Sequence, residues 1–508
     1  MELSTGRSVG SRLNGRAATI FFTLAVALAA LPLVAAPAVA SAVATPAAAH
    51  RSLANGLEVF AVENGAVPLA TICVVFRGGA SAQDRSDAGL FHLYEHMLFA
   101  SNEKYANQAA FTAALNAMGV PSWNGSTGEE YINYYITVPS DKLDEGVAFW
   151  SWAVRHPVFD PVKLEAEKGV VLNEIKGYHA DPNQVFSNAL ESRLYPGQPW
   201  RKNIDGPEAN IQAATVADLE RMRSTWYVPG NMAILVGGDV KAEAVFASVS
   251  KWFGDWKGAS PPAIGEPPQG AIPEGVRVLF RDSGFYDGVH NVRFSWRGPD
   301  VMRDTRDSYT IDVLSFLMTS PVGRFKKDLS EKVPTIYDPE YINFSYPTAR
   351  DGGTITFDTF MRTGSPESDG AILDRAETLR TAVIDELALV AADPEGYFGA
   401  GELAKAKRKL VDNNLLSMEN PASFVTGTLV FWWAVASSDY FFGYEGNCDK
   451  VSFQDIGDLL RKYILDRNSG IAVRVSTKDA KKDQAMQERI GALKFEPVTA
   501  ANAFWWTR

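Results

Sequence analysis

Cysteine is nearly absent: Cys73 and Cys448 are the only two in 508 residues. They are too few for a disulfide framework and form no C-x-x-C pair, so any metal here must be held by nitrogen and oxygen donors. Cys73 sits inside the apolar run Ala70–Phe76 and is expected in a core. Basic charge is also short, with 49 Lys and Arg against 60 Asp and Glu and a formal charge of −11. Contact with phosphate backbones needs basic surface, which argues against a nucleic-acid partner. Long hydrophobic runs are missing except near the N-terminus. There Arg7, Arg12 and Arg16 precede the apolar stretch Ala17–Leu31, and Ala38-Val39-Ala40 offers a cleavage site. That order predicts a signal peptide over residues 1–40 and a periplasmic or secreted mature protein without a membrane span. An uncleaved anchor is the second reading and a mitochondrial transit peptide the third. Histidine is scarce too, with six in the chain.

Two of the six lie in Phe91-His92-Leu93-Tyr94-Glu95-His96-Met97-Leu98. Histidines four apart on a helix share a face one turn apart, so His92 and His96 can reach one metal ion. Glu95 borders the same site and can take a proton from a metal-bound water. The alternative is a helix with two surface histidines. A catalytic metal of this kind usually takes a third protein ligand. A second helix, capped by Asp160 and running to about Lys176, offers Glu165, Glu167 and Glu174. Glu167 and Glu174 are close to two full turns apart and face the same way. Taken alone they read as a solvated acidic face. Beside the histidine pair, Glu174 becomes the third ligand and Glu167 a supporting carboxylate that orients the site.

Strands are expected at Leu57–Val62, Ala70–Phe76, Tyr131–Val138 and Asn231–Val236. Ser86 or Asp87 is expected to cap the histidine helix, and Pro121–Glu130 reads as a loop of small and polar residues. Ser260–Pro273, rich in Pro and Gly, reads as an interdomain linker. After it the pattern restarts: Phe294-Ser-Trp-Arg-Gly-Pro299 parallels Val74-Val-Phe-Arg-Gly-Gly79. At that offset His92, Glu95 and His96 fall on Asp312, Ser315 and Phe316, so the second copy carries no ligands there. The expectation is an α+β protein of two homologous α/β sandwich domains, each a mixed sheet with helices. The zinc-binding domain would cover 51–258, a linker 259–273 and a metal-free domain 274–508.

His92-x-x-Glu95-His96 followed by Glu167 and Glu174 resembles the pitrilysin/insulinase family of zinc metallopeptidases, the inverzincins. Gly119–Thr127 with Asn133-Tyr134-Tyr135 resembles the family's substrate-binding edge strand. Tyr227–Asp239 resembles the end of its first domain, and Arg297-Gly-Pro299 with Gly323–Lys332 its second. The likeness is to the short two-domain subunits such as mitochondrial processing peptidase and its bacterial homologues. It implies half of a clamshell chamber. His92, His96 and Glu174 would hold Zn²⁺, and Glu95 would activate a zinc-bound water with Glu167 beside it. Asn124 and Thr127 would bind a peptide as an added strand.

The resemblance also implies an Arg and, seven residues on, a Tyr from the second domain. Tyr337 fits the Tyr; the Arg position falls on Ser330, and Arg324 lies on another helix face. The reading is therefore an endopeptidase acting on peptides or unfolded segments as a dimer, in which a homologous partner supplies the missing Arg. A heterodimer is preferred to a homodimer. The alternative is a non-catalytic or weakly active peptide-binding or structural subunit.

Overall fold

The computed structural model describes residues 48–364 and 371–508. The segment 1–40, read as a signal peptide, lies outside the described residues.

The strands form two six-stranded mixed sheets. The first contains β1 (Ala49–Ser52), β2 (Glu58–Glu63), β3 (Leu69–Arg77), β4 (Ser122–Thr127), β5 (Tyr131–Pro139) and β6 (Met232–Gly238), in the order β1-β2-β6-β3-β5-β4. The second contains β7 (Arg277–Asp282), β8 (Val289–Arg297), β9 (Asn343–Ser345), β10 (Thr354–Arg362), β11 (Ser469–Ser476) and β12 (Glu496–Val498), in the order β12-β7-β11-β8-β10-β9. Both have the same wiring. β2 runs parallel to β6 as β7 does to β11, and the next three pairings are antiparallel in each sheet. β3 and β8 correspond end to end, Leu69 to Val289 and Arg77 to Arg297. The two outer strands differ, since β1 is antiparallel to β2 and β12 parallel to β7.

β3 is buried continuously from Ala70 to Phe76, Cys73 included. A β-branched apolar run of this kind suits a strand covered on both faces. One face of the first sheet packs on its own helices: α1 (Leu90–Leu98), α2 (Gln108–Ala117), α3 (Leu143–Arg155) and α4 (Pro161–Ala180). Phe91, Phe111, Trp150 and Val171 meet Ile72, Val74, Ile132 and Ile136 in this core. The opposite face exposes Phe60, Val62, Cys73, Val75 and Leu235, and these are covered by Phe424, Val425, Leu429, Val430 and Trp433 of the second half. The cover is reciprocal. Phe186, Ala189, Leu190 and Leu194 of α5 (Pro182–Leu194) pack on Val278, Phe280 and Ala472 of the second sheet.

Polar contacts follow the same exchange. The Trp433 indole N–H donates to Glu58 at 2.9 Å, and the Arg77 guanidinium lies 3.8 Å from the Trp433 ring. Tyr195 donates to Gly353 O at 3.0 Å, and Glu130 accepts from the Arg350 backbone N–H at 2.8 Å. The segment 259–273 has no regular structure but is pinned near its middle. Arg201 donates to the carbonyls of Glu266 and Pro267, and the Gln269 N–H donates to Asp351. Its composition suggested a tether; these bonds make it a strap.

Three local expectations are corrected. α1 starts from Gly89 in the left-handed region, φ 94°, with no side-chain cap, while the Asp87 carboxylate accepts from the Asp84 N–H instead. The stretch Pro121–Glu130 contains β4, because pairing with β5 orders residues whose composition alone reads as loop. α4 runs four residues beyond Lys176, to Ala180.

Two outcomes are expected. Trp433→Ala removes a buried ring from the cover of the first sheet and should cost about 3–5 kcal/mol. Hydrogen exchange should then rise in β2, β3 and β6, far away in sequence, alongside a lower urea midpoint. Glu130 is 6% exposed. Burial first, then Glu129 beside it, push its carboxyl from 4.5 up to about 8. Between those values the folded protein holds a proton that the unfolded chain has released. This group's contribution is therefore fully present below the unfolded value and is lost as pH rises through the folded one. Glu130→Gln should accordingly gain melting temperature over wild type as pH is raised from about 5 to about 8, a difference that thermal melts across this range would read.

Candidate metal centre

The site forms where α1 crosses α4. α1 is held by its buried side. Tyr94 stacks on Tyr227 with centroids 3.9 Å apart, and Phe91 meets Trp226 edge-on at 5.8 Å. Its N-terminus is fixed by a residue that carried no signal in the sequence. The buried Gln83 side chain accepts from the Gly89 N–H at 2.8 Å and donates to Trp200 O and Asn203 O at 3.1 and 3.0 Å. Gly89 is needed for its positive φ and for contact, since a Cβ there would lie 2.3 Å from Asp205 O. α4 is capped by Asp160, which accepts from the Lys163 N–H, and buries Leu164, Lys168, Val171 and Ile175. That leaves Glu167 and Glu174 on a neighbouring stripe of the helix, turned toward α1.

His92 Nε2 lies 3.5 Å from Glu174 Oε2, and His96 Nε2 lies 3.3 Å from the same oxygen. The three ligand atoms fall within 4.8 Å of one another. Bonds of about 2.0–2.1 Å to a tetrahedral ion set neighbouring donors roughly 3.3–3.4 Å apart, so the spacing fits a small divalent cation. The donor chemistry fits as well. Metal binding takes the neutral imidazole. Burial, reinforced by His96, holds His92 down to about 4, which keeps its ring neutral. His96 Nδ1–H faces Glu167 Oε2 at 3.3 Å, which orients the ring and leaves Nε2 free for a metal. Burial disfavours the charged form of His96, but Glu167, Glu174 and Glu95 outweigh it and raise the pKa.

Glu95 lies beside these ligands. Burial raises its carboxyl above the ordinary range, while a 2.5 Å hydrogen bond from the Thr127 hydroxyl pulls the other way. Thr127 thus turns from β4 toward α1. Asn124 lies on the opposite face of the same edge strand and is exposed. Tyr337 is not brought to the cluster. It is 45% exposed and packs on Tyr341 and Arg362 in the second half. Ser330 donates to Lys326 O, and Arg324 pairs with Asp328 over the Tyr397 ring. Neither the expected arginine position nor its neighbour therefore offers a free guanidinium. In the second half, Asp312 stands where the sequence offset puts His92, and it accepts from the Tyr444 hydroxyl at 2.6 Å.

Of the remaining histidines, His50 pairs with Glu58 and stacks on Phe60. His179 packs against Phe504 and Trp506 of the C-terminal segment. His290 is fully buried in the second sheet.

Glu167→Ala deletes the carboxylate on His96. It should weaken metal binding by about 10–100-fold, read by competition with a chelator, and leave the melting temperature of the metal-free protein nearly unchanged.

Comparison with known proteins identifies the family. The model described as "Insulinase (Peptidase family M16)" matches residues 59–208, and "Peptidase M16 inactive domain" matches 213–410. The beta subunit of mitochondrial-processing peptidase from Caenorhabditis elegans is 28% identical over 206 residues, 41% of this chain and 44% of that protein. A zinc protease, YmxG, from Bacillus subtilis is 26% identical over 204 residues, 40% of this chain and 49% of that protein. The matched stretch thus spans less than half the length of these relatives. The first half of the periplasmic protease PqqL from Escherichia coli superposes with a TM-score of 0.68 at 18% identity, covering 88% of this chain and 96% of that one. That likeness carries the two-domain fold. Through both matched segments, which fall on the two sheets and the His92–His96 helix, the chain belongs to the insulinase family of peptidases, family M16.

Proposed function

We propose that the chain is a zinc-dependent endopeptidase acting on peptides or unfolded polypeptide segments. The observation that carries this reading is the convergence of His92, His96 and Glu174 beside a buried Glu95 at the edge strand β4. His92, His96 and Glu174 would hold the ion. Bound there, zinc supplies Lewis acidity toward a scissile carbonyl.

The chain's own groups do the rest. β4 has a free edge, so a substrate adds to it through main-chain hydrogen bonds, and Asn124 lies along that edge. Glu95 takes the proton of the attacking water and returns it to the leaving amine. Its burial raises its basicity, and the Thr127 hydroxyl fixes one of its oxygens. Glu167 holds the His96 ring. Recognition by main-chain bonds makes sequence selectivity loose at the cleavage site.

The position expected to carry an arginine is Ser330, and Arg324 is committed to Asp328. A charge-stabilising donor of this kind is worth on the order of 10²–10³ in rate. A homologous partner subunit supplying it accounts for the deficit, and one relative is itself named as a subunit.

Metal analysis and peptide cleavage should be measured on wild type and Glu95→Gln, with the oligomeric state recorded. Zinc at one per chain in both, and loss of cleavage in the variant by at least about 10²-fold, are the expected results. Equal rates in the two would remove the catalytic role of Glu95. Full turnover by the isolated monomer would remove the partner.

A further inference from the structure

Three rings follow one another at Phe504-Trp505-Trp506, shortly after β12, the outer strand of the second sheet. β12 is also where the two sheets differ, since it runs parallel to its neighbour and β1 antiparallel. The chain that leaves it crosses to the first half. Ser192 donates to Ala503 O at 3.1 Å. Arg193 donates to Asn502 O at 3.1 Å and pairs with Glu496 of β12 itself. Both residues belong to α5, so the segment is fastened to the helix that follows α4.

From there the rings go to two places. Phe504 and Trp506 stack on each other, 4.9 Å apart, and both pack on His179, at 4.2 and 5.2 Å. His179 lies in the last turn of α4, five residues after Glu174. Trp505 turns away from them, at 88° to the Trp506 plane, and meets Trp200 edge-on at 5.9 Å. The Arg85 guanidinium covers it at 5.5 Å. Trp200 O is one of the two carbonyls that hold Gln83, and Gln83 accepts from the Gly89 N–H that starts α1. Arg85 lies in the same connection, between Gln83 and Gly89. One short segment thus touches the end of the helix that carries Glu174 and the support of the helix that carries His92 and His96.

Phe504 and Trp505 are 3% and 8% exposed. Packing explains that burial. The division of neighbouring rings between the two metal-bearing helices gives them a further role. Large rigid rings packed on both sides transmit position, because a close-packed contact yields little. A metal site needs its donors placed within about half an ångström, so a shift at either helix end is felt at the ion.

We propose that Phe504, Trp505 and Trp506 are positioning residues for the metal centre, clamping the start of α1 and the end of α4 at once, so that a segment anchored on the second sheet sets how tightly the ion is held. The clamp rests on the metal centre of the peptidase reading and deepens it by naming what tunes that centre. Coupling of this kind is reciprocal: what the clamp adds to metal affinity, the metal returns to the docking of the clamp.

The test uses the full chain and zinc alone. Chelator competition should show zinc held at least about fivefold more weakly in Trp505→Ala and in Trp506→Ala. The Trp505 indole N–H has no hydrogen-bond partner among the described residues, so its contribution is ring area, and Trp505→Phe should stay within about twofold of wild type. Phe344→Ala, which removes a buried ring from the second half's own core, should lower the melting temperature and keep the zinc affinity. In wild type, zinc should slow hydrogen exchange across residues 501–508, a readout that needs no variant to fold. Unchanged affinity in both alanine variants overturns the proposal. So does an equal loss in Phe344→Ala, which would mean general loosening, or exchange at 501–508 that ignores zinc. A wild type that binds no zinc removes the metal centre and the clamp together. If the clamp variants respond as expected but Glu95→Gln cleaves peptides as fast as wild type, the peptidase reading falls and the clamp stands. Cleavage lost in Glu95→Gln, with zinc affinity indifferent to the rings, does the opposite.

Discussion

Each sheet has two apolar faces and enough local helices to cover one. This shortage governs the molecule. Phe60, Val62, Cys73, Val75 and Leu235 would meet water if the second half did not supply Phe424 through Trp433. Each such side chain left bare costs roughly 1.5–3 kcal/mol. The debt is mutual, since α5 covers Val278, Phe280 and Ala472 in return. Neither half is a free-standing domain in the energetic sense, although each has its own complete sheet. The exchange also fixes the cleft. α5 and the 421–435 segment hold the halves at one separation, and the unshielded parts of the two sheets become the walls between them.

The candidate metal centre depends on that rigidity one level down. Two imidazoles on α1 are useful only if α4 brings Glu174 to the same point, and the tolerance is a few tenths of an ångström. Tyr94 on Tyr227, Phe91 on Trp226 and the Gln83 amide leave α1 little freedom. Close approach replaces side-chain capping here. Gly206 sits so near Ala88 O that a Cβ would lie 2.2 Å away, and Gly89 stands equally tight against Asp205. Burial and the neighbouring Glu174 both oppose ionisation of Glu95. A cation held beside it would relieve both effects, so an ion there would add to the stability of the crossing as well as to its chemistry.

Local periodicity made the side chains of the candidate site legible in the sequence. His92 and His96 at one helical turn, and Glu167 and Glu174 at two, declare their faces through spacing alone. The duplication was legible for the same reason, because β3 and β8 repeat a strand with its terminal Arg-Gly. What stayed hidden is non-local. An apolar run such as 429–435 announces burial but not which sheet it covers, and it covers the other half's. Gln83 has no periodic partner, and its value comes from carbonyls at 200 and 203 that only the fold brings near. Asp87 looked like the cap of α1 because residue type was weighed without backbone; Gly89 wins because the turn needs φ 94°. Pro121–Glu130 looked like loop because an edge strand one residue type away from coil is ordered by its neighbour.

The second half repeats the strand and helix of the candidate site without its histidines. Asp312 stands at the position of His92, and its buried carboxyl is satisfied by the Tyr444 hydroxyl, with burial pushing it up to about 7. The helix keeps its packing role there. Ser330 donates to Lys326 O and Arg324 is committed to Asp328, while Arg362 and Arg474 are bonded to backbone and side-chain acceptors. Stabilising a transition state needs a free charge, and these four positions offer none, so under the peptidase reading that charge must come from elsewhere.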